Sequence, residues 1–283
     1  MAAFVTRFAP SPTGHLHRGH AFSALTAFEA ARAARGRFLL RIEDIDRTRC
    51  RPEYDAALRE DLAWLGLAWE EPVRRQSEHM ADYEAALRSL RERGLLYRCF
   101  RTRREIAAAI ESAPHGVLEA FRGGPLPPSE EAGRVTSGEG YAWRMSLDAA
   151  QHALGGFGAL AFDEEGEGPA GEQGRIAARP ELGGDVVLAR KDVGVAYHLA
   201  VTVDDALQGV THVIRGRDLF EATHVQRLLQ ALLGLSTPTY RHHRLLTDAQ
   251  GRRFAKRDRA ETLREIRTRG VTPEALQREL GLG

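Results

Sequence analysis

Lysine is nearly missing from this chain. Of 40 basic residues only Lys191 and Lys256 are lysine, and the rest are arginine. A basic position is therefore arginine by default, and a lysine marks a place where a compact, mobile ammonium suits better. Cysteine is scarce too, with Cys50 and Cys99 the only two. Two thiols make no disulfide framework, so the chain fits a reducing compartment with free thiols. Net charge is almost absent, at +1. Bulk charge therefore does not make this a nucleic-acid binder, and any RNA contact has to come from local clusters. No apolar run approaches the length of a membrane span, and the first residues lack the apolar stretch of a secretory signal. No internal repeat is visible. With 283 residues, 43% of them hydrophobic, there is material for a substantial core in one large or two small domains.

What is present is concentrated near the N-terminus. The stretch Arg7–Gly19 reads RFAPSPTGHLHRG and is closed by His20. The residues before it predict a strand over 4–8. Those after it predict a helix over 21–35, with strong helix formers and apolar residues at helical spacing. A strand, a tight polar loop and a helix N-terminus make an anion site, because the unpaired N–H groups and the helix dipole both favour negative charge. The expected ligand is a phosphate, and by extension a nucleotide. Gly14 and Gly19 have the spacing of a P-loop, but His20 stands where its lysine would be, which rejects that motif. His17, Gly19 and His20 crowd the helix start instead. Two imidazoles can donate to phosphate oxygens, and Gly19 lets a base or ribose approach the backbone. Taken alone, HRGH equally suits a turn with solvent-exposed histidines.

Gly36 ends the helix, and RFLLRI predicts a strand over 37–42. Glu43, Asp44 and Asp46 follow at its carboxyl end, where parallel α/β sheets bind ligands. Such acids suit a substrate ammonium or a metal, and equally a helix cap or salt bridge. Amphipathic helices are expected over 52–65 and 77–93, the second with Ser77 as N-cap and Gly94 as stop. A short strand over 95–100 and a helix over 102–111 come next. Residues 113–140 are rich in Pro, Gly and Ser and read as irregular. Strands are expected over 141–147 and 158–162. The acidic, glycine-rich stretch 163–174 has little to bury. Strands over 185–190 and 210–215, a helix over 218–234 and one or two short helices over 261–280 complete the pattern. Residues 1–99 read as the first half of a catalytic domain, 100–184 as an inserted subdomain, and 185–245 as the second half. Residues 246–283 read as a basic loop with C-terminal helices.

HRGH in this setting resembles the signature of class I aminoacyl-tRNA synthetases. The longer string RFAPSPTGHLHRGHAFSAL (7–25) is similar to their glutamyl branch, as are RIEDIDRTR (41–49), AYHLAVTVDD (196–205) and VTHVIRGRDL (210–219). These strings cover both halves of the chain in matching order and spacing. The resemblance implies an α/β protein with the class I Rossmann-like nucleotide-binding fold, a connective insertion and a short helical C-terminal segment. It implies ATP, accompanied by Mg²⁺, with His17 and His20 at the phosphates and Gly19 beside the nucleotide. It implies a glutamate pocket of Arg7, Phe8, Ala9, Pro10, Ser11, Glu43, Tyr197 and Arg215. Glu43 would take the α-amino group and the two arginines the carboxylates. The family's second signature, Lys-Met-Ser-Lys-Ser or a variant, is matched by RFAKR: Arg253 replaces the first lysine, Ala255 removes the serine hydroxyl, and Lys256 is kept. Lys256 thereby joins His17 and His20 as the catalytic set. Relatives hold zinc in the insertion through a Cys-x-Cys pair and a later Tyr and Cys. Here Cys99 is followed by Arg101 and no later cysteine, so neither structural zinc nor another protein-held metal is expected.

Full-length glutamyl enzymes continue into a helical anticodon-binding domain, and nothing after Gly283 builds one. The resemblance is therefore closest to the truncated paralogues that attach glutamate to queuosine in the anticodon of tRNA(Asp). It implies L-glutamate, ATP and the tRNA(Asp) anticodon stem-loop as partners, no membrane, and a monomer in the cytoplasm. The arginine-rich stretches 241–244 and 252–259 are the expected RNA contacts. A shortened glutamyl-tRNA synthetase charging a 3′ end and a non-catalytic RNA-binding paralogue stay open as other readings.

Overall fold

A computed structural model describes residues 3–102, 104–107, 120–190, 194–246 and 261–282. In chain order the first part comprises β1 (Val5–Phe8), α1 (Arg18–Ala33), β2 (Arg37–Ile42), α2 (Pro52–Trp64), β3 (Glu70–Arg75), α3 (Met80–Glu92) and β4 (Leu96–Cys99). The middle carries α4 (Pro128–Thr136), β5 (Ala142–Met145), α5 (Leu147–Leu154), β6 (Ala161–Glu164) and β7 (Gly174–Ala177). The last part carries β8 (Val187–Arg190), β9 (Gly194–Val195), α6 (Tyr197–Leu207), β10 (His212–Gly216), α7 (Phe220–Leu233), β11 (Thr239–His243), α8 (Leu263–Thr268) and α9 (Pro273–Leu280). Among the described residues no helix is long and apolar enough to cross a membrane.

Two parallel pieces make the central sheet. β1, β2 and β3 run parallel in that order, and β10 runs parallel to β11. They meet between β1 and β10: the Val5 N–H donates to Thr211 Oγ1 (2.8 Å) and the Thr211 N–H donates to the Val5 carbonyl (2.9 Å). The sheet thus grows outward in opposite directions from β1 and β10, which makes the crevice beyond their carboxyl ends a topological switch point. Both faces are covered. Leu39, Val5 and Val213 point into one apolar cluster with α3, α6 and α7; Phe38, Leu40, Ile42, Phe8 and Ile214 point into the other with α1, α2, α8 and α9. The period of two along β2 is what sends alternate residues to opposite clusters. Residues from 100–184 join two further sheets: β5 pairs with β4 and β8, and β6 lies between β7 and β11.

Three local expectations need correction. α1 begins at Arg18, three residues earlier than periodicity predicts, because His17 caps it. Ser77 is not a helix cap: its N–H and Oγ both bond Asp44, residues 76–78 form a 3₁₀ turn, and α3 starts at Met80. The stretch 113–140 holds a helix, α4, opened by Pro128 in the first turn where the missing N–H costs nothing. Most of the helix expected over 102–111 lies outside the described residues.

On the α6 side of β2 the core is ionic. Arg41 is fully buried. Its Nη1 donates to Asp205 Oδ1 (2.7 Å) and Gln208 Oε1 (3.1 Å), its Nη2 to Glu43 Oε1 (3.0 Å), and Asp204 lies 3.6 Å from its Nε. Asp205 also takes Arg7 of β1 on both oxygens, at 3.0 and 3.4 Å. Asp204 takes Arg74 Nε, Gln76 Nε2 and Tyr83 Oη at 2.7–2.9 Å. Three guanidiniums, Arg7, Arg41 and Arg74, are thereby set against three carboxylates, Glu43, Asp204 and Asp205. Burial alone would raise the Asp205 carboxyl, but Arg7 and Arg41 overcome it and hold it down at about 2.

Asp205→Asn should therefore destabilise the fold by roughly 3–5 kcal/mol, because it strands two buried arginines. The sign follows from the depressed pKa: the carboxylate's contribution is complete above the ordinary value of about 3.9. It fades as pH falls toward about 2. Urea unfolding of parent and variant should differ most at neutral pH and converge with acid. Equal midpoints at pH 7 would show that Arg7 and Arg41 are satisfied without Asp205.

Candidate active site

The carboxyl ends of the parallel strands face two clefts, and the loop after β1 lines both. One cleft, about 270 Å³, lies between the start of α1 and the ends of β10 and β11; His17, Gly19, His20, Gly216, Asp218 and Leu246 border it. His17 is the N-cap of α1. Its Nδ1 accepts from the Gly19 N–H (3.1 Å), and Nδ1 of His20 accepts from the His17 N–H (3.2 Å). This is a capping box made of imidazoles in place of the usual Ser/Thr and Glu. It also assigns the tautomers. An Nδ1 that accepts from the backbone carries no proton, so in each neutral ring the proton sits on Nε2. The rings lie 3.8 Å apart between centroids. Gly19 leaves room for this arrangement, since a Cβ there would stand 3.0 Å from His17 Cε1 and press on the ring.

Lys256, Arg253 and Ala255, with the rest of residues 247–260, lie outside the described residues. Their flanks do not. Leu246 borders the histidine cleft, Thr262 forms a β-bridge with His17, and the Leu263 N–H donates to the Leu16 carbonyl (2.8 Å). The segment that carries RFAKR thus leaves and rejoins the described structure beside HRGH.

The second cleft, about 670 Å³, is lined by Ser11, Thr13, Glu43, Gln76, Tyr197 and His198 among others. Burial raises the Tyr197 phenol above its ordinary value, although Arg215 opposes the shift, so the ring keeps its O–H. The charges of Arg7, Glu43 and Asp205 also act on that phenol, but the two expected arginines, Arg7 and Arg215, are buried and are not among the residues that line the cleft. Both arginines are anchored alike. Arg7 spends Nε and Nη2 on Asp205, and Arg215 spends Nε on His242 Nε2 (3.2 Å) and Nη2 on Thr223 Oγ1 (2.7 Å). In each, Nη1 has no hydrogen-bond partner among the described residues, which leaves one edge of each fork for a ligand. Burial pushes the Glu43 carboxyl up against the pull of Arg41, and Oε1 is held by that arginine.

Not every expected pocket residue offers a side chain to this cleft. Phe8 is packed in the core. Pro10 is buried and contributes its carbonyl to the Glu43 N–H (3.0 Å), which draws the loop onto the end of β2. Ala9 is half-buried and Ser11 exposed. In the stretch 241–244 both arginines are exposed, while His242 is buried and His243 half-buried. His242 is buried on Glu164, Arg244 lies over Phe22 and donates to the Leu280 carbonyl, and Arg241 is exposed. Cys99 is buried against Tyr97 and Ile106, and among the described residues no group of three or more His, Cys, Asp or Glu is placed to hold a metal.

Sequence reasoning missed His198. Its Nδ1 is buried without a hydrogen-bond partner among the described residues, and burial together with the Arg215 charge lowers its pKa to about 4, so the ring is neutral at physiological pH. Only its place next to Tyr197 hinted at this. It missed Arg41 and Glu164 as well, whose partners are distant in sequence.

Comparison with known proteins agrees with this geometry. Residues 3–121 and 171–282 match the family model described as tRNA synthetases class I (E and Q), catalytic domain. The glutamyl-Q tRNA(Asp) synthetase of Rhodobacter capsulatus is 48% identical, over 98% of this chain and 100% of that protein. A glutamate–tRNA ligase of Synechococcus is 37% identical over 95% of this chain, which spans only 56% of that protein. The crystal structure of the glutamate–tRNA synthetase of Elizabethkingia anophelis superposes with a TM-score of 0.75 at 26% identity, covering 91% of this chain and 53% of that one. On its fold, its signature strings and these relatives, the chain belongs to the class I tRNA synthetases (E and Q), among the glutamyl-Q tRNA(Asp) synthetases.

Proposed function

We propose that the chain activates glutamate with ATP and transfers it to queuosine in the anticodon of tRNA(Asp). The observation that carries this reading is the pair of clefts sharing one loop. One has two imidazoles protonated on Nε2 at a helix start; the other is lined by Glu43 and Tyr197, with the charges of Arg215 and Arg7 felt at the Tyr197 phenol. A phosphate site beside a site for a dicarboxylic amino acid suits adenylate formation. The greater identity to a glutamyl-Q tRNA(Asp) synthetase than to a glutamate–tRNA ligase supports the acceptor.

The α-carboxylate of glutamate is already a nucleophile, so no general base is needed. It attacks the α-phosphorus, the bond to the β-phosphate oxygen breaks, and pyrophosphate leaves. Catalysis is then positioning plus stabilisation of phosphate charge. His17, His20 and Lys256 serve the phosphates, with Gly19 at the nucleotide. Arg7, Ser11, Glu43, Tyr197 and Arg215 hold glutamate, while Phe8, Ala9 and Pro10 shape the backbone beside it. Mg²⁺ arrives with ATP, whose phosphate oxygens are its natural ligands. In the second step a cyclopentene hydroxyl of queuosine attacks the acyl carbon and AMP departs. A splayed anticodon base reaches a cleft in the way a base inside a duplex cannot.

Glutamate-dependent exchange of pyrophosphate into ATP should proceed without tRNA; a strict requirement for tRNA would favour an ordinary glutamyl-tRNA synthetase. Lys256→Ala should cut kcat for activation by about 10²–10³-fold with a smaller change in glutamate KM. Wild-type rates in that variant would make RFAKR a mere basic loop. Labelled glutamate should pass to tRNA(Asp) carrying queuosine and not to the same tRNA with guanosine there, and periodate treatment of the 3′ end should not block it. Equal transfer to both tRNAs, or loss after oxidation, would refute the acceptor.

A further inference from the structure

Glu164 stands at the end of β6, between the two stretches that match the family model. Its surroundings in sequence, DEEGEG, predict a solvated acidic loop. The structure instead buries it. Oε1 accepts from the backbone N–H groups of His242 and Gly166, each at 2.8 Å, and Oε2 lies 2.5 Å from His242 Nδ1. The loop that follows is laced onto β11: the Glu165 N–H donates to the Tyr240 carbonyl and the Glu167 N–H to the His242 carbonyl. Gly166 permits this approach, since a Cβ there would collide with the His242 backbone.

The far side of the same imidazole receives Arg215. A guanidinium can only donate, so His242 Nε2 must be the acceptor of the 3.2 Å bond from Arg215 Nε. Nδ1 therefore carries the proton and donates it to Glu164. Burial lowers the His242 pKa, and the bonds from His242 outweigh burial to keep the Glu164 carboxyl below its ordinary value. The triad is a carboxylate, a neutral imidazole and a guanidinium in line. We propose that Glu164 and His242 are positioning residues for the reaction: they fix one imidazole tautomer and thereby aim the Nη1 edge of Arg215 at the glutamate substrate. The proposal rests on the reading of Arg215 as a glutamate ligand.

Without this relay Arg215 keeps only Thr223 and the Leu219 carbonyl, both on its Nη2. Two bonds to one nitrogen leave the fork free to swing about it. The bond on Nε stops that swing. Glu164→Gln is the sharpest probe, because it preserves shape and reverses the hydrogen-bond sense. The amide oxygen still accepts from the two backbone N–H groups, but the NH₂ now faces Nδ1. The ring proton must move to Nε2, where it meets the Arg215 N–H, donor against donor. An isosteric amide that forces the wrong tautomer is a known way to disable a histidine without disturbing the fold.

The test uses the full chain and glutamate-dependent pyrophosphate exchange. Glu164→Gln should raise glutamate KM about tenfold with little change in kcat, since a ligand held alike in ground and transition states affects KM alone. Glu164→Asp, which restores an acceptor, should recover most of that loss. In an Arg215→Ala background, where KM is already raised, Glu164→Gln should add nothing. Long-range ¹H–¹⁵N spectra should show the Nδ1–H tautomer of His242 in the parent and the Nε2–H tautomer in Glu164→Gln. If the parent shows the Nε2–H tautomer, the relay is wrong, whether or not the variants fold. A parental KM in Glu164→Gln beside a raised KM in Arg215→Ala overturns the relay and leaves the glutamate pocket intact. An equal penalty from Glu164→Gln with and without Arg215 means that Glu164 acts elsewhere. A parental KM in Arg215→Ala removes Arg215 from the pocket, and the relay falls with it.

Discussion

A guanidinium removed from water has to be answered in full, and Arg41 is where this chain meets that demand. Desolvating such a group costs several kcal/mol, which only well-placed partners recover. Those partners come from the end of its own strand and from α6, a helix 164 residues further along at the Asp205 contact. The docking of α6 is thereby fixed in rotation as well as in position. The neighbouring carboxylate, Asp204, ties in β3 and α3 through Arg74 and Tyr83. The first turn of α6 carries Tyr197 and His198, so the wall of the larger cleft takes its placement from the ionic core beneath it.

The two clefts are coupled by the chain that separates them. The loop after β1 is held at Pro10 by Glu43, at Pro12 by Arg51 and at Leu16 by Leu263, all through backbone hydrogen bonds. A shift of this loop at the larger cleft would therefore be felt at the histidine cap beside the smaller one. Where two ligands must meet in adjoining clefts, fixing the distance between them is a large part of what a protein can contribute.

Much of this was legible in the chain because the relevant patterns are local. The β2 strand is a short, mostly apolar run flanked by glycine and closed by acids, and the structure places it over the same six residues, Arg37–Ile42. HRGH lies at a helix start as expected. The start itself was misplaced because histidine is not a usual cap, and a cap made of two imidazoles has no propensity signature. The ionic core and Glu164 were illegible for a different reason. Arg41 reads as the polar residue of a half-buried strand, and Glu164 as one acid among several. What buries each is a partner 164 or 78 residues away. Periodicity carries no information about such a contact. Ser77 shows the converse error: its local context suits a cap, and a carboxylate from another element claims it first.

Asp205 serves two masters, since the same carboxylate neutralises Arg41 of β2 and braces Arg7 of β1. Change at one cannot be screened from the other. Replacing Arg7 would leave a core carboxylate short of a counter-charge, and a compensating change at Asp205 would in turn unsettle Arg41. Positions 7, 41 and 205 therefore behave as one electrostatic unit: a single replacement at any of them is penalised until the others follow.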